Sequence, residues 1–178
     1  MNGSFLSWLQ PRSVRTPSPT KYTRQMGSIS QRLSSLGIQL PEPKSPVANY
    51  LPCKRSGDLL FVSAKVSEQR GAVGSDVTLE DAQAAARNLC LLLLSIVQQQ
   101  IGNLDHIESI DKLRGFIRSA PDFTRQPLVL DGASDVLVQI FADRGRHART
   151  ATATHQLPFG ASVQLDMVLR LAPNTPTP

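Results

Sequence analysis

The last part of the chain alternates. From Val163 the apolar residues Val163, Leu165, Met167, Leu169 and Leu171 are separated by Gln164, Asp166 and Arg170, with Val168 as the single break. That period of two is the signature of a strand with one buried face. Just before it, ARTATAT reads as a Thr/Ala-rich strand with Arg149 at its head, and Leu157-Pro158 supplies the turn between the two.

The pattern changes to a helical period further upstream. Ala82, Ala85, Ala86, Leu89, Leu92, Leu93, Ile96 and Val97 form one apolar stripe, which Thr78 caps and which stops near Ile101-Gly102. Asp81, three residues after Thr78, is the capping-box position. A second helix is predicted from about Gln126 to Ala142, where Val129, Leu130, Ala133, Val136, Leu137, Ile140 and Phe141 recur at the same spacing. Between the helices, Ile107 to Arg118 reads as a strand with Leu113 and Ile117 on one side.

Toward the N-terminus, Val47 to Arg55 and Leu59 to Ala64 read as a hairpin turning at Ser56-Gly57-Asp58. Glu68 to Asp76 is a polar, glycine-bearing loop. Ser28 to Leu36 is a short amphipathic helix with Ile29, Leu33 and Leu36 on one face, and Gly37 stops it. The order is a small helix followed by β-β-α-β-α-β-β. Two long helices beside a mixed sheet predict an α+β, two-layer domain over residues 27–172. Such a domain leaves one sheet face open, so the apolar face of the 163–171 strand is expected to be buried by other subunits or by ligand.

Length and charge narrow the function classes. The 178 residues suit one core. The formal charge of +5 is not spread along the chain: residues 1–41 hold five basic residues and no acid, whereas from Glu42 onward 14 bases balance 14 acids. A nucleic-acid surface needs a clustered basic patch, and none is indicated. No apolar run approaches the ~20 residues that a membrane span needs. The acid-free, Ser/Thr/Arg-rich residues 1–26 read as a disordered leader resembling an organellar transit peptide, mitochondrial or of another matrix, with Met26 as an alternative start. Without that targeting the expected location is cytoplasmic. Residues 173–178 are expected to be a disordered tail.

Cys53 and Cys90 lack the spacing of a disulfide framework or a zinc site, and Cys90 reads as a small core residue. His106, His147 and His155 show no metal-ligand spacing and read as structural or solvent-facing. No catalytic triad emerges by spacing. Arg149 is the residue whose type suits a site, because a guanidinium grips a planar carboxylate with two parallel hydrogen bonds. A surface or salt-bridged arginine is the alternative.

The fragments PVANYLP, GDLLFVSA, SAPDFTRQP, GASDVLVQIF, GRHARTA and LPFGASVQLD, in this order and spacing, resemble the RidA/YjgF family, in particular its chorismate-mutase-like branch. They span about Ser28 to Leu171. The resemblance implies a homotrimer whose sheets face a central barrel-like core, with both long helices on the other face and three ligand clefts at subunit interfaces. It implies hydrolysis of reactive enamines and imines to ketoacids and ammonia, with no metal or cofactor.

Carried over position by position, the family's carboxylate-clamping arginine falls on Arg149. Its cleft tyrosine falls on Tyr50 and its small hydroxyl position on Ser63. Ala64 stands where the family usually has glycine, and alanine would be strained there if the backbone needs positive φ. The family asparagine near the second helix falls on Asp131. The family's catalytic glutamate falls on Gln164, and an amide cannot act as a general base. Asp166, two residues or roughly 6–7 Å along the same strand face, is a partial substitute or a salt-bridging aspartate. Two functions stay open from the sequence. One is a deaminase of 2-imino and enamine acids using Arg149, Gln164 and Asp166; the other is a non-catalytic trimeric binder of small carboxylated metabolites. Ribonuclease activity is disfavoured by the neutral domain.

Overall fold

A computed structural model describes residues 28–43, 49–173 and 175 of the chain. The leader and the start of the first expected strand lie outside them. Helix α1 spans Ile29–Ser35 and begins with a full capping box, in which the Ser28 hydroxyl accepts from the Gln31 N–H and the Gln31 side chain accepts from the Ser28 N–H. Ile29 and Leu33 are buried. Leu36, expected on the same apolar face, is instead the C-cap and lies exposed.

The hairpin is formed by β1 (Cys53–Ser56) and β2 (Leu59–Val66), and β2 runs two residues past the expected end. Helix α2 (Leu79–Ile101) starts at Thr78, whose hydroxyl accepts from the Asp81 N–H and donates to the Asp81 carboxylate. Strand β3 (Ile107–Arg118), helix α3 (Gln126–Phe141), and strands β4 (Ala148–Thr154) and β5 (Val163–Leu171) complete the domain. The β4–β5 turn is a short 3-10 segment, Pro158–Gly160, where Phe159 holds φ 58° with 78% of its surface exposed.

The five strands lie in the order β1-β2-β5-β3-β4, antiparallel except for the β3/β4 pair. The parallel pair needs a crossover, and α3 supplies it. Register then fixes which side chains share a face, because directly paired residues point the same way. Met167 pairs with Val62 and with Leu113, and Leu113 pairs in turn with Arg149. These four positions lie on the face covered by α2 and α3. Gln164 pairs with Phe116, and Phe116 with Thr152, on the opposite face.

This placement corrects one expectation. Val163, Leu165, Met167, Leu169 and Leu171 are buried within a single chain, at 0–1% exposure. Their cover is the helix layer, including Ala86, Leu89, Leu93, Leu130 and Leu137, so they are not an interface awaiting another subunit. Burying each such side chain contributes about 1.5–3 kcal/mol. The face left open carries Lys112, Arg114, Phe116, Gln164, Asp166 and Val168, with Phe61 45% exposed beside them.

Two glycines let backbone meet backbone around α3. A Cβ on Gly132 would lie 2.1 Å from the Gln83 carbonyl oxygen of α2, and one on Gly145 would lie 2.3 Å from the Leu137 carbonyl oxygen. Neither position has room for a side chain. Near the C-terminus, Thr175 is buried and its carbonyl accepts from Arg55 at 2.7 Å, so this part of the expected tail packs on the domain.

Candidate functional site

Strand β4 lies at the sheet edge and alternates Arg and Ala toward the helices with Thr toward the open face. Threonine suits a half-exposed pleated surface, and alanine lets α3 approach closely. Arg149 therefore reaches under α3. There it meets Asp131 and Ser134, three residues apart and so on one helix face. Arg149 Nη1 donates to Asp131 Oδ1 at 2.8 Å and to Ser134 Oγ at 3.1 Å. Both sequence-derived candidates, Arg149 and Asp131, are thus brought together.

The pair is partly solvated, with side-chain exposures of 27% for Arg149 and 41% for Asp131. Its net contribution to stability is accordingly small, within about 1 kcal/mol. Its effect on chemistry is larger. Nη1 is occupied, while among the described residues Nε and Nη2 carry no hydrogen bond. Those two N–H groups form the side-on fork that fits a carboxylate.

Sequence spacing missed two members of this cluster. His147 stands two residues before Arg149, and its Nε2 lies 3.1 Å from Ser134 Oγ. Its Nδ1 lies 2.7 Å from the Gly145 carbonyl oxygen. A carbonyl only accepts, so Nδ1 carries the proton and Nε2 of the neutral ring accepts from the Ser134 hydroxyl. Burial pushes the imidazole below its ordinary 6.5; the Gly145 hydrogen bond opposes that shift and the nearby Arg149 charge adds to it. The available signal was the i, i+2 spacing of His147 and Arg149 together with the i, i+3 spacing of Asp131 and Ser134.

The remaining candidates are elsewhere. Tyr50 is 44% exposed, its hydroxyl accepts from Lys65 Nζ at 2.9 Å, and Lys65 lies 5.1 Å from its ring centroid. Ser63 Oγ donates to the Leu51 carbonyl at 2.7 Å, which ties β2 to the segment bearing Tyr50. Ala64 is exposed and has no positive φ, so the expected backbone strain is absent there. Gln164 lies on the open sheet face, opposite to Arg149 and two strands away in β5. Within one chain Arg149 and Gln164 do not meet.

Asp166 is engaged in an ion pair across the sheet. Its carboxylate accepts from Arg114 Nε at 2.9 Å, and that hydrogen bond raises the pKa of the Arg114 guanidinium. Asp166 is a salt-bridging residue. A surface depression of about 320 Å³ at the start of α2, lined by Gly74, Thr78, Phe123 and Arg125 among others, contains neither Arg149 nor Gln164.

Both thiols are buried, and desolvation raises Cys53 to about 11 and Cys90 to about 12. Among the described residues no group of three His, Cys, Asp or Glu side chains gathers in a way that could hold a metal ion. No described helix is long and apolar enough to cross a membrane.

Comparison with known proteins places this architecture. Residues 30–170 match the family model described as "YjgF/chorismate_mutase-like, putative endoribonuclease". Protein TCP17 of Trypanosoma cruzi is 38% identical over 152 residues, covering 82% of this chain and 95% of the relative. The structure of protein Atu1372 from Agrobacterium tumefaciens superposes with a TM-score of 0.75 at 38% identity, over 81% of this chain and 92% of its own. A Shewanella oneidensis structure, described as a "putative endoribonuclease", gives 0.78 at 28% identity, over 82% and 100%. A Rid-family protein of Yersinia pestis, YyfA, shares the fold at 18% identity and a TM-score of 0.52, over 73% and 94%. With the family model spanning the whole α+β core, from α1 through β5, the chain belongs to the YjgF/chorismate mutase-like family, the Rid proteins.

Proposed function

We propose that this chain hydrolyses reactive 2-imino and enamine acids to 2-ketoacids and ammonia, in a cleft that two copies build together. The observation that carries the reading is Arg149, whose Nε/Nη2 edge is open at the edge strand of the sheet while Nη1 is fixed by Asp131 and Ser134. A fork held at one corner is already aimed. A planar carboxylate docking on it leaves C2 of the substrate just beyond the guanidinium, ready for attack by water.

Arg149 and Gln164 lie on opposite faces of one sheet, so a cleft that contains both takes one from each of two subunits. The homotrimer implied by the sequence resemblance would complete three such clefts. Water attack on an iminium carbon needs orientation more than base strength, because the substrate is already electrophilic. Fixing the reactants in one geometry can lower a barrier by several kcal/mol. Gln164 can position a water by donating and accepting, without accepting its proton.

The test generates 2-aminoacrylate in situ and follows ketoacid and ammonia release. Wild type should exceed the spontaneous rate, and Arg149→Ala should return it to that rate. Gln164→Glu should raise turnover, by ~10²-fold if it installs a positioned general base. Equal rates for wild type and Arg149→Ala would sink the proposal. The second reading, a carboxylate binder without turnover, is favoured by Gln164 and by the engagement of Asp166 with Arg114. It predicts pyruvate binding that requires Arg149, with no rate above background and no gain from Gln164→Glu.

A further inference from the structure

The guanidinium of Arg149 is planar, and the two hydrogens of Nη1 lie in that plane. One hydrogen bond from Nη1 leaves the plane free to turn about it; bonds to two acceptors fix the plane. The two acceptors are Asp131 Oδ1 at 2.8 Å and Ser134 Oγ at 3.1 Å. Both stand at the Nη1 corner, away from the Nε/Nη2 edge that a carboxylate would meet. Ser134 is thus the second of two points that decide where this edge faces.

A serine inside a helix ordinarily turns its hydroxyl to the carbonyl four residues back, which in α3 is that of Leu130. Here the described partners of Ser134 Oγ are Arg149 and His147 instead. His147 Nε2, 3.1 Å away, takes the serine proton, because Nδ1 donates to the Gly145 carbonyl at 2.7 Å. With its proton drawn to the ring, the hydroxyl keeps its lone pairs for the Arg149 N–H. Burial holds the imidazole below its ordinary 6.5, so at neutral pH the ring is uncharged and able to accept. Gly145 in turn is pressed against the end of α3, where a Cβ would lie 2.3 Å from the Leu137 carbonyl oxygen. These supports of the guanidinium therefore rest on one helix and the turn that follows it.

We propose that Ser134 and His147 are positioning residues for the Arg149 clamp, forming a chain from the Gly145 carbonyl through the imidazole and the hydroxyl to Nη1. This rests on the reading of Arg149 as the residue that holds a carboxylate. His147 acts through Ser134, and Ser134 acts through Nη1. The chain adds no charge to the site, so it contributes to the direction of the fork and not to its pull on an anion. A planar carboxylate needs two N–H groups in line with its two oxygens. Chloride is a sphere and meets the charge equally well from any side. Loss of the chain therefore loosens a carboxylate and spares chloride.

The experiment uses the full chain at pH 7.5 and measures pyruvate binding by titration calorimetry, with chloride as a competing ion. Ser134→Ala and His147→Phe should each weaken pyruvate binding by about threefold to tenfold, the scale of one hydrogen bond, while chloride competes as it does in wild type. The double variant should bind no more weakly than Ser134→Ala, because His147 acts only through the hydroxyl. Ser134→Thr and His147→Gln keep the hydroxyl and the acceptor, and should stay within about twofold of wild type. A merely structural role would shift pyruvate, chloride and melting temperature together and would give additive losses. In the wild type itself, the N–H protons of Arg149 should give separate nuclear magnetic resonance signals, since a pinned guanidinium does not rotate freely. One averaged signal would overturn the chain without any variant. So would wild-type pyruvate affinity in both single variants, or additive losses in the double one, and in these cases the clamp and the hydrolytic reading stand. If Arg149→Ala binds pyruvate as wild type does, the clamp itself falls and the chain falls with it.

Discussion

Asp131 accepts from Arg149 Nη1 at 2.8 Å, so the chain's own carboxylate already occupies one corner of the guanidinium expected to clamp a ligand. The contact has two opposing effects. It aims the fork, and it partly cancels the positive charge that draws an anion in. Asp131→Asn keeps an oxygen at the same corner and removes only the charge. Titration calorimetry should therefore show pyruvate binding several-fold tighter than wild type, up to the tenfold that 1.4 kcal/mol represents. Arg149→Lys should weaken it, since an ammonium cannot offer a fork. Weaker binding by Asp131→Asn would mean that aiming outweighs charge.

The depressed pKa of His147 gives folding stability a defined pH dependence. The folded state resists protonation below the ordinary 6.5, while the unfolded chain accepts the proton there. The unfolded state thus binds more protons between the folded and unfolded values, and stability falls as pH drops through 6.5 toward the lower one. It is fully present above 6.5. Denaturant melts of wild type and His147→Gln, compared from pH 7.5 down to 5, should diverge only below about 6.5, with the wild type losing more. Parallel curves would show that the ring is not held neutral.

Gly132 should tolerate no side chain. A Cβ there would sit 2.1 Å from the Gln83 carbonyl oxygen, and backbone on both sides leaves nothing flexible to yield. Gly132→Ala should lower stability by about 1–3 kcal/mol, the range for overpacking. Pushing α3 from α2 also carries Asp131 with it. Pyruvate affinity should change together with the melting temperature, and a variant of unaltered stability would contradict the observed packing.

The thiols should be silent toward an aromatic disulfide reagent at pH 8. Cys53, raised to about 11, and Cys90, raised to about 12, carry almost no thiolate there and are buried. Both should react in denaturant. Rapid labelling of Cys90 in the native protein would mean that α2 opens readily.

Much of the fold was legible because its signals are local. The alternation of Val163 through Leu171 and the stripes of α2 and α3 each declare a buried face within one element. What covers that face is not local. The β5 pattern reads equally as a surface for helices or for another subunit, and only the pairing of Met167 with Val62 and Leu113 under the helix layer decides it. The same limit applies to the site. The motif around Arg149 marked it as a candidate clamp, but its separation from Gln164 depends on a register that runs through three strands. Ser134 and His147 come from different elements and meet only because α3 packs on β4; their spacings to Asp131 and Arg149 are the only local marks, and neither spacing says that the two residues meet. Asp166 read more readily as an ion pair than as a base, but its partner, Arg114 on β3, is set by the strand register and marked by no local pattern.

Gly145 has a bearing on how this region tolerates change. Its missing side chain lets the chain press against the end of α3, and its carbonyl holds the proton-bearing nitrogen of His147. Any replacement would move that carbonyl and turn the ring, although the substituted residue touches no ligand. In a library of random variants, the losses of stability in this region should therefore concentrate at a position that has no side chain to lose.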